Sequence, residues 1–400
     1  MKSAPSYLKI SLVTFAANSR DARELRSAQA SGWQNIQVIA PAGQAASYQD
    51  SFWSVKEINL RPYGDGGLKK LLGKMAAFWH FIKSARQVKA DVISGHDLLG
   101  LLIAFLASIG RKNKPFLLYD AHEYENGRFT NKKRSWFKRK FIAGLEKKLI
   151  RKSKLSILVN QSIYEQMQKD YKLNFPAVIA RNIPDSSEVN LGKSAAIRKQ
   201  WREELALTEG EPVFIYHGLV GPGRGIEEAI ATVSDLAYGG LVILGYGADS
   251  YKEKLRGLIQ ASPTPQRIML HEAVPGSALM DYLAAADVGL VLIRPVSQSY
   301  YFALPNKLFE SIQAGNPVLA SDLPEIARVV KDYEVGLLCN MDDPADIRSK
   351  WEQLAQGNRE KTYRANLQRA KADLNWQKEG HDLEKALGDL LVEVKLKENK

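Results

Sequence analysis

Asn306, Lys307 and Glu310 stand between a proline and a glycine stop in FALPNKLFESIQAGNPVLASDLPE, residues 302–325. Pro305 is favoured at a helix start, where its missing N–H costs nothing, and Lys307 and Glu310, three apart, share one helical face. The free N–H groups of a helix N-terminus attract phosphate, and Lys307 adds a full charge. A carboxylate one turn on can accept from ribose hydroxyls. The pattern therefore suits a nucleoside-diphosphate site. Gly315-Asn316-Pro317 stops the helix, residues 318–320 read as a short buried strand, and Ser321-Asp322 follow at its carboxyl end, where open parallel sheets place ligand contacts.

A second candidate is YHGLVGPGRGIEEAI, residues 216–230. Gly218, Gly221, Gly223 and Gly225 let the backbone approach a ligand closely, and a helix beginning near Ile226 would aim Arg224 at a diphosphate. The same glycines can also make a tight turn without a ligand. A third is Asp120-Ala121-His122-Glu123, after the apolar run 116–119. His122 can donate or accept a proton near neutral pH, which suits positioning a hydroxyl; the alternative is a histidine that only caps its strand. His96-Asp97 ends another strand, and Asp97 is expected to cap the apolar helix that follows.

These residues need a scaffold of alternating strands and helices, and the chain supplies it. Apolar runs at 8–15, 37–40, 91–94, 116–119, 156–159, 177–180, 213–216, 241–244, 288–293 and 318–320 read as strands, with helices at 21–30 and 161–169. This is the βαβ rhythm of a doubly wound parallel sheet. Residues 184–188 form a loop before a new unit begins. Four hundred residues exceed the size at which one core splits, so two domains are expected.

Residues 302–325 together with 216–230 resemble family 4 glycosyltransferases, retaining enzymes of the GT-B fold, in the branch with a PNKLFE sequence. The resemblance implies an α/β, GT-B architecture of two Rossmann-like doubly wound parallel-sheet domains facing across a cleft. Residues 1–185 would bind acceptor and 186–370 the nucleotide-sugar, with 371–400, including Trp376, crossing back to the first domain. It implies that Glu310 binds the donor ribose, that Arg224, Lys307 and the helix start at Asn306 hold the diphosphate, and that His122 faces the donor sugar. Gly218, Gly223 and the GYG turn at Gly245 would line the donor site, Val274 would fall in the base-binding loop 271–275, and residues 284–291, AAADVGLV, match a strand entry. His96 would lie towards the acceptor. Three departures stand out within this donor site: Phe302, placed at the donor, replaces a glutamate that contacts the donor sugar, Leu219 replaces an arginine of the diphosphate loop, and Asn18 and Ser19, expected to offer N–H groups to the donor phosphate, replace a glycine pair after the first strand.

The implied chemistry is metal-independent transfer of a hexosyl unit with retention, using no cofactor beyond the nucleotide-sugar. No Asp-x-Asp motif occurs. The single cysteine, Cys339, excludes an intramolecular disulfide framework, and the sequence spaces no Cys/His cluster for a metal, so none is expected. The N-terminus has no apolar stretch of signal-peptide length, and the apolar, uncharged run 98–110 is too short to span a membrane and reads as a buried helix.

Charge is uneven. Residues 1–186 hold 31 Lys+Arg against 14 Asp+Glu, although the whole chain is only +12. Residues 128–154 hold twelve of those cations and one acid, Glu146. Phe137, Phe141, Leu145 and Leu149 recur every four residues among Arg134, Trp136, Arg139 and Lys140, giving an apolar stripe with cationic sides. Such a helix lies on anionic lipid or packs its stripe on its own domain. No base-reading module accompanies the charge, so nucleic acid is not an expected partner. The expectation is a cytoplasmic enzyme, peripheral on the inner face of the plasma membrane, that glycosylates a glycan or lipid-linked acceptor in bacterial cell-surface polysaccharide or glycoconjugate assembly. A nucleotide-sugar epimerase or hydrolase, or a non-catalytic membrane-surface adaptor with a degenerate donor site, are the alternatives.

Overall fold

The computed structural model describes residues 5–10, 23–41, 53–58, 67–128, 136–184 and 189–398. Asn18, Ser19 and Arg134 lie outside them. The chain divides into two compact units, residues 1–182 with 379–400, and residues 183–378.

The first unit is built on seven parallel strands: β1 (Ser6–Ile10), β2 (Asn35–Pro41), β3 (Trp53–Ile58), β4 (Val92–His96), β5 (Phe116–Ala121), β6 (Leu155–Leu158) and β7 (Ala177–Ile179). Their order is β3-β2-β1-β4-β5-β6-β7. The second unit has six parallel strands: β8 (Val213–Val220), β9 (Gly240–Gly247), β10 (Ile268–Glu272), β11 (Val288–Val291), β12 (Val318–Ser321) and β13 (Gly336–Cys339), in the order β10-β9-β8-β11-β12-β13. Both orders reverse beside the first strand, between β1 and β4 and between β8 and β11. Loops diverge at these switch points and open a crevice at the carboxyl ends.

Burial explains the runs. Leu8, Ile10, Ile39 and Ile93 fill one core of the first sheet, and Phe214, Tyr216, Leu241, Ile243 and Leu290 one core of the second. Helix Asp97–Ser108 sits close on β4, where a Cβ on Gly95 would stand 2.2 Å from the Leu101 nitrogen. Only glycine fits there.

Several expectations change. Gly245–Gly247 is not a turn but the end of β9, where Gly245 pairs with Gly218 and a Cβ would meet the Gly218 oxygen at 1.8 Å. His271 and Glu272 end β10, so only Ala273 onwards is loop. Asp97 accepts from the backbone N–H of His122 at 3.1 Å, turning to the neighbouring strand end rather than capping its helix. On helix Trp136–Ile150 the stripe does not stay on one face: Phe137 and Phe141 are exposed, Leu145 is half-buried and Leu149 buried. A spacing of four residues overshoots the 3.6 of a helical turn, so the row rotates by about 40° at each step.

The same helix buries Glu146, which accepts from the Tyr119 and Tyr171 hydroxyls at 2.6 and 2.5 Å. Burial nevertheless pushes its carboxyl up to about 7. A carboxyl raised on folding contributes stability that is complete below its ordinary 4.5 and is lost as pH rises through about 7. Glu146→Gln is therefore expected to stabilise the protein above neutral pH by roughly 1–3 kcal/mol and to flatten the stability slope across that window. Urea titrations at a series of pH values read both effects, and an unchanged slope would contradict the assignment.

Candidate active site

In the second unit the Pro305 turn starts helix Asn306–Ala314, and Gly315 closes it in the left-handed conformation, φ 91°. Lys307 and Glu310 share its inner face, as their spacing requires, and meet consecutive residues of β8. The Lys307 ammonium lies 3.9 Å from the centre of the Tyr216 ring. His217 Nε2 is 2.7 Å from Glu310 Oε2, with both side chains buried. Lys307 is only 7% exposed, and among the described residues its Nζ has no hydrogen-bond partner. Burial, reinforced by the nearby Arg224 cation, holds its pKa well below the usual lysine range. A buried amine held this way takes up its proton, and its charge, when an anion binds beside it.

Arg224 comes from the glycine loop. Gly223 and Gly225 have φ of 75° and 67°, and a Cβ on Gly225 would lie 2.3 Å from that of Leu292, so the loop needs glycine to pass close to β11 and enter helix Ile226–Leu236. The Arg224 guanidinium lies 5.1 Å from the centre of the Tyr300 ring. Gly218, φ 104°, is still within β8. Phe302 follows the short helix Gln298–Tyr301 and packs edge-on against Tyr301 at 5.4 Å. Val274 packs against the cluster of Trp201 and Leu244 just beyond β10. Arg224, Lys307 and Glu310 thus converge where β8 adjoins β11, at the carboxyl side of the second sheet. A cavity of about 750 Å³ lined by Arg198, Asp287, Asn316 and Lys371 lies on the opposite side, at the amino ends of β11 and β12.

The first unit places its own cluster at the carboxyl ends of β4 and β5, where His96 and Asp120 are register partners. Asp120 is fully buried: Oδ1 accepts from Arg23 at 2.7 Å, and Oδ2 accepts from Lys9 at 2.9 Å and faces His122 Nε2 at 2.9 Å. Lys9 also reaches Glu24 at 2.7 Å, and the Tyr7 hydroxyl donates to Glu24. Burial alone would raise Asp120, but His122, Lys9 and Arg23 hold it well below the usual carboxylate range. The buried Asp120 carboxylate orients the His122 ring through Nε2. His96 stacks on His122 with ring centres 4.0 Å apart, and burial, then His122, lowers its pKa.

The sequence scatters its histidines, yet His96, Asp120 and His122 bring ligand atoms within 4.8 Å of one another, a grouping that could hold a metal ion. The two cations already on Asp120 oppose that use. With Lys9 and Arg23 balanced by Asp120 and Glu24, the cluster is charge-compensated as it stands. Sequence reasoning passed over Lys9, Glu24 and His217. For Lys9 and His217 the available signal was a charged or polar residue inside an otherwise apolar strand, in YLKI and FIYHG; Glu24, on a helix, had none.

Of the basic residues expected on the acceptor or membrane side, Arg139 and Lys140 are exposed beside Phe137 on helix Trp136–Ile150, while Trp136 is its first residue. Trp376 is buried in the second unit.

Residues 197–372 match the family described as glycosyl transferases group 1. No curated protein matches the chain. Among solved structures, sucrose-phosphate synthase from Thermosynechococcus elongatus has a TM-score of 0.74 at 18% identity, covering 97% of this chain and 99% of that one. HepE from Anabaena, in complex with UDP-glucose, has 0.70 at 14%, covering 96% and 99%. WaaG, a glycosyltransferase involved in lipopolysaccharide biosynthesis, has 0.64 at 14%, covering 96% and 99%. At such identities the likeness is one of fold. With two parallel-sheet α/β units, these neighbours and the match over residues 197–372, the chain has the GT-B fold and its second unit carries a glycosyl transferases group 1 domain.

Proposed function

We propose that this protein is a retaining glycosyltransferase that moves a sugar from a nucleotide-sugar, with a UDP-sugar as first candidate, to a glycan or lipid-linked acceptor. The observation that supports it best is the buried Lys307 ammonium beside Arg224, with the Glu310 carboxylate one helical turn away. Two cations and a helix N-terminus suit a diphosphate, and a carboxylate suits ribose hydroxyls. HepE, similar in fold, was solved with UDP and with UDP-glucose, which supports uridine as the base.

On this reading Arg224, Lys307 and the N–H groups at Asn306 stabilise charge as the bond from the anomeric carbon to the diphosphate oxygen breaks, without calling on a metal. An acceptor hydroxyl forms the new bond on the face the diphosphate leaves, and its proton passes to the departing phosphate oxygen. His122, oriented by Asp120, holds a sugar hydroxyl. Assembly of bacterial cell-surface glycans is the setting proposed, and WaaG, of similar fold, acts in lipopolysaccharide biosynthesis.

The test is incubation with a panel of nucleotide-sugars, with and without bacterial glycolipid extracts, following nucleoside diphosphate release and the anomeric configuration of the product by NMR. Acceptor-dependent release with retained configuration is expected. Inversion would overturn the retaining mechanism, and equal release without acceptor would favour the hydrolase. Phe302, where the resembled family has a glutamate, favours a second reading of a non-catalytic protein; nucleotide binding without turnover of any donor would establish it.

A further inference from the structure

Two helices of the first unit carry exposed apolar side chains. Helix Gly67–Gln87 leads from β3 to β4 and helix Trp136–Ile150 from β5 to β6. A helix that joins parallel strands runs antiparallel to them, so each begins at the carboxyl edge, where His96 and His122 lie. Both pack against helix Asp97–Ser108. The second half of helix Gly67–Gln87 is the part buried, through Phe81, Ile82 and Ala85.

The exposed part ahead of Phe81 carries an apolar stripe. Leu71, Leu72, Met75 and Trp79 are each more than half exposed and form one stripe at i, i+1, i+4 and i+8, flanked by exposed Lys69, Lys74 and Lys83. The N-terminal half of helix Trp136–Ile150 repeats the pattern, with Phe137 and Phe141 75% and 71% exposed beside Lys138, Arg139 and Lys140. Asp97, Glu123 and Glu125, acids of the same edge, gather around Arg128.

We infer that this edge docks on an anionic lipid bilayer, the six apolar side chains entering the boundary between headgroups and acyl chains while the lysines face lipid phosphates. Charge complementarity selects this occupant. A second copy of the same face would set lysines against lysines, and a nucleic acid would leave the apolar side chains nothing to bury. The inference rests on the proposed lipid-linked acceptor only for its purpose, which is to hold the His122 edge at the surface where such an acceptor resides.

The full chain is co-sedimented with vesicles of phosphatidylcholine alone and of phosphatidylcholine mixed with phosphatidylglycerol. Binding to the anionic vesicles only, weakened by salt, is expected. The Leu71→Ser/Met75→Ser/Trp79→Ser variant should lower that partition by about tenfold or more and leave stabilisation by UDP, which reads the other unit, unchanged. Equal binding by parent and variant, equal binding to both vesicles, or no binding would overturn the inference. So would a dimer in sedimentation velocity that the triple substitution abolishes. Vesicle binding without stabilisation by any nucleotide would instead overturn the transferase reading and leave this surface standing.

Discussion

Lys307→Ala is expected to lower kcat/KM for the nucleotide-sugar by about 10²–10³-fold while the protein stays folded, because it removes one of two cations proposed for the leaving diphosphate. Since the buried ammonium has no hydrogen-bond partner among the described residues, its removal strands no polar group. A proton signature should accompany the loss. The lysine pKa lies well below its ordinary 10.5 in the free protein because of burial and Arg224, and a bound diphosphate restores the proton. Affinity for a nucleoside diphosphate should therefore fall as pH rises through that depressed pKa, with proton uptake on binding. Calorimetry in buffers of different ionisation heat reads the uptake. Lys307→Ala should abolish it, and an unchanged proton count in the variant would assign the uptake to another group.

Asp120→Ala is expected to destabilise the first unit by about 3–5 kcal/mol, because it leaves two buried cations short of a countercharge. Lys9 keeps Glu24, but Arg23 loses the carboxylate that it meets at 2.7 Å. His122 loses the partner that orients its ring, so residual activity at low temperature should fall as well. Denaturant titration measures the first effect. A change below about 1 kcal/mol would show that water or neighbouring side chains already compensate the cations.

The legible part of the fold was its interior. Strands buried on both faces, such as β8, β9, β11 and β12, are short apolar runs that need no partner to be recognised. The strands that escaped notice were β3, β10 and β13, all at sheet edges. WSVKEI and IMLHE mix charge into the run because an edge strand has one side towards solvent, and periodicity there gives no clear signal. Glycines misled in the same way: Gly245 looked like a turn, but it serves close strand pairing with Gly218, which only three-dimensional neighbours reveal.

At the candidate site, the helix face that pairs Lys307 with Glu310 followed from a spacing of three, and the glycine run marked where Arg224 would enter. Their partners did not follow. His217 and Tyr216 reach that face from a strand some ninety residues earlier, and Asp120 gathers Lys9, Arg23 and His122 from three separate elements. A single sequence records residue types and local spacing; it does not record which strand ends become neighbours.

The face built from Arg224, Lys307 and Glu310 is proposed to bind a nucleoside diphosphate. The most direct measurement is the thermal shift of the parent protein with UDP, GDP, ADP and the corresponding nucleotide-sugars, repeated for any positive in Arg224→Ala and Glu310→Ala. A ligand that binds only the folded state must raise the midpoint. A rise with one base, lost in both variants, is expected. No rise with any nucleotide, or a rise that both variants keep, would contradict it.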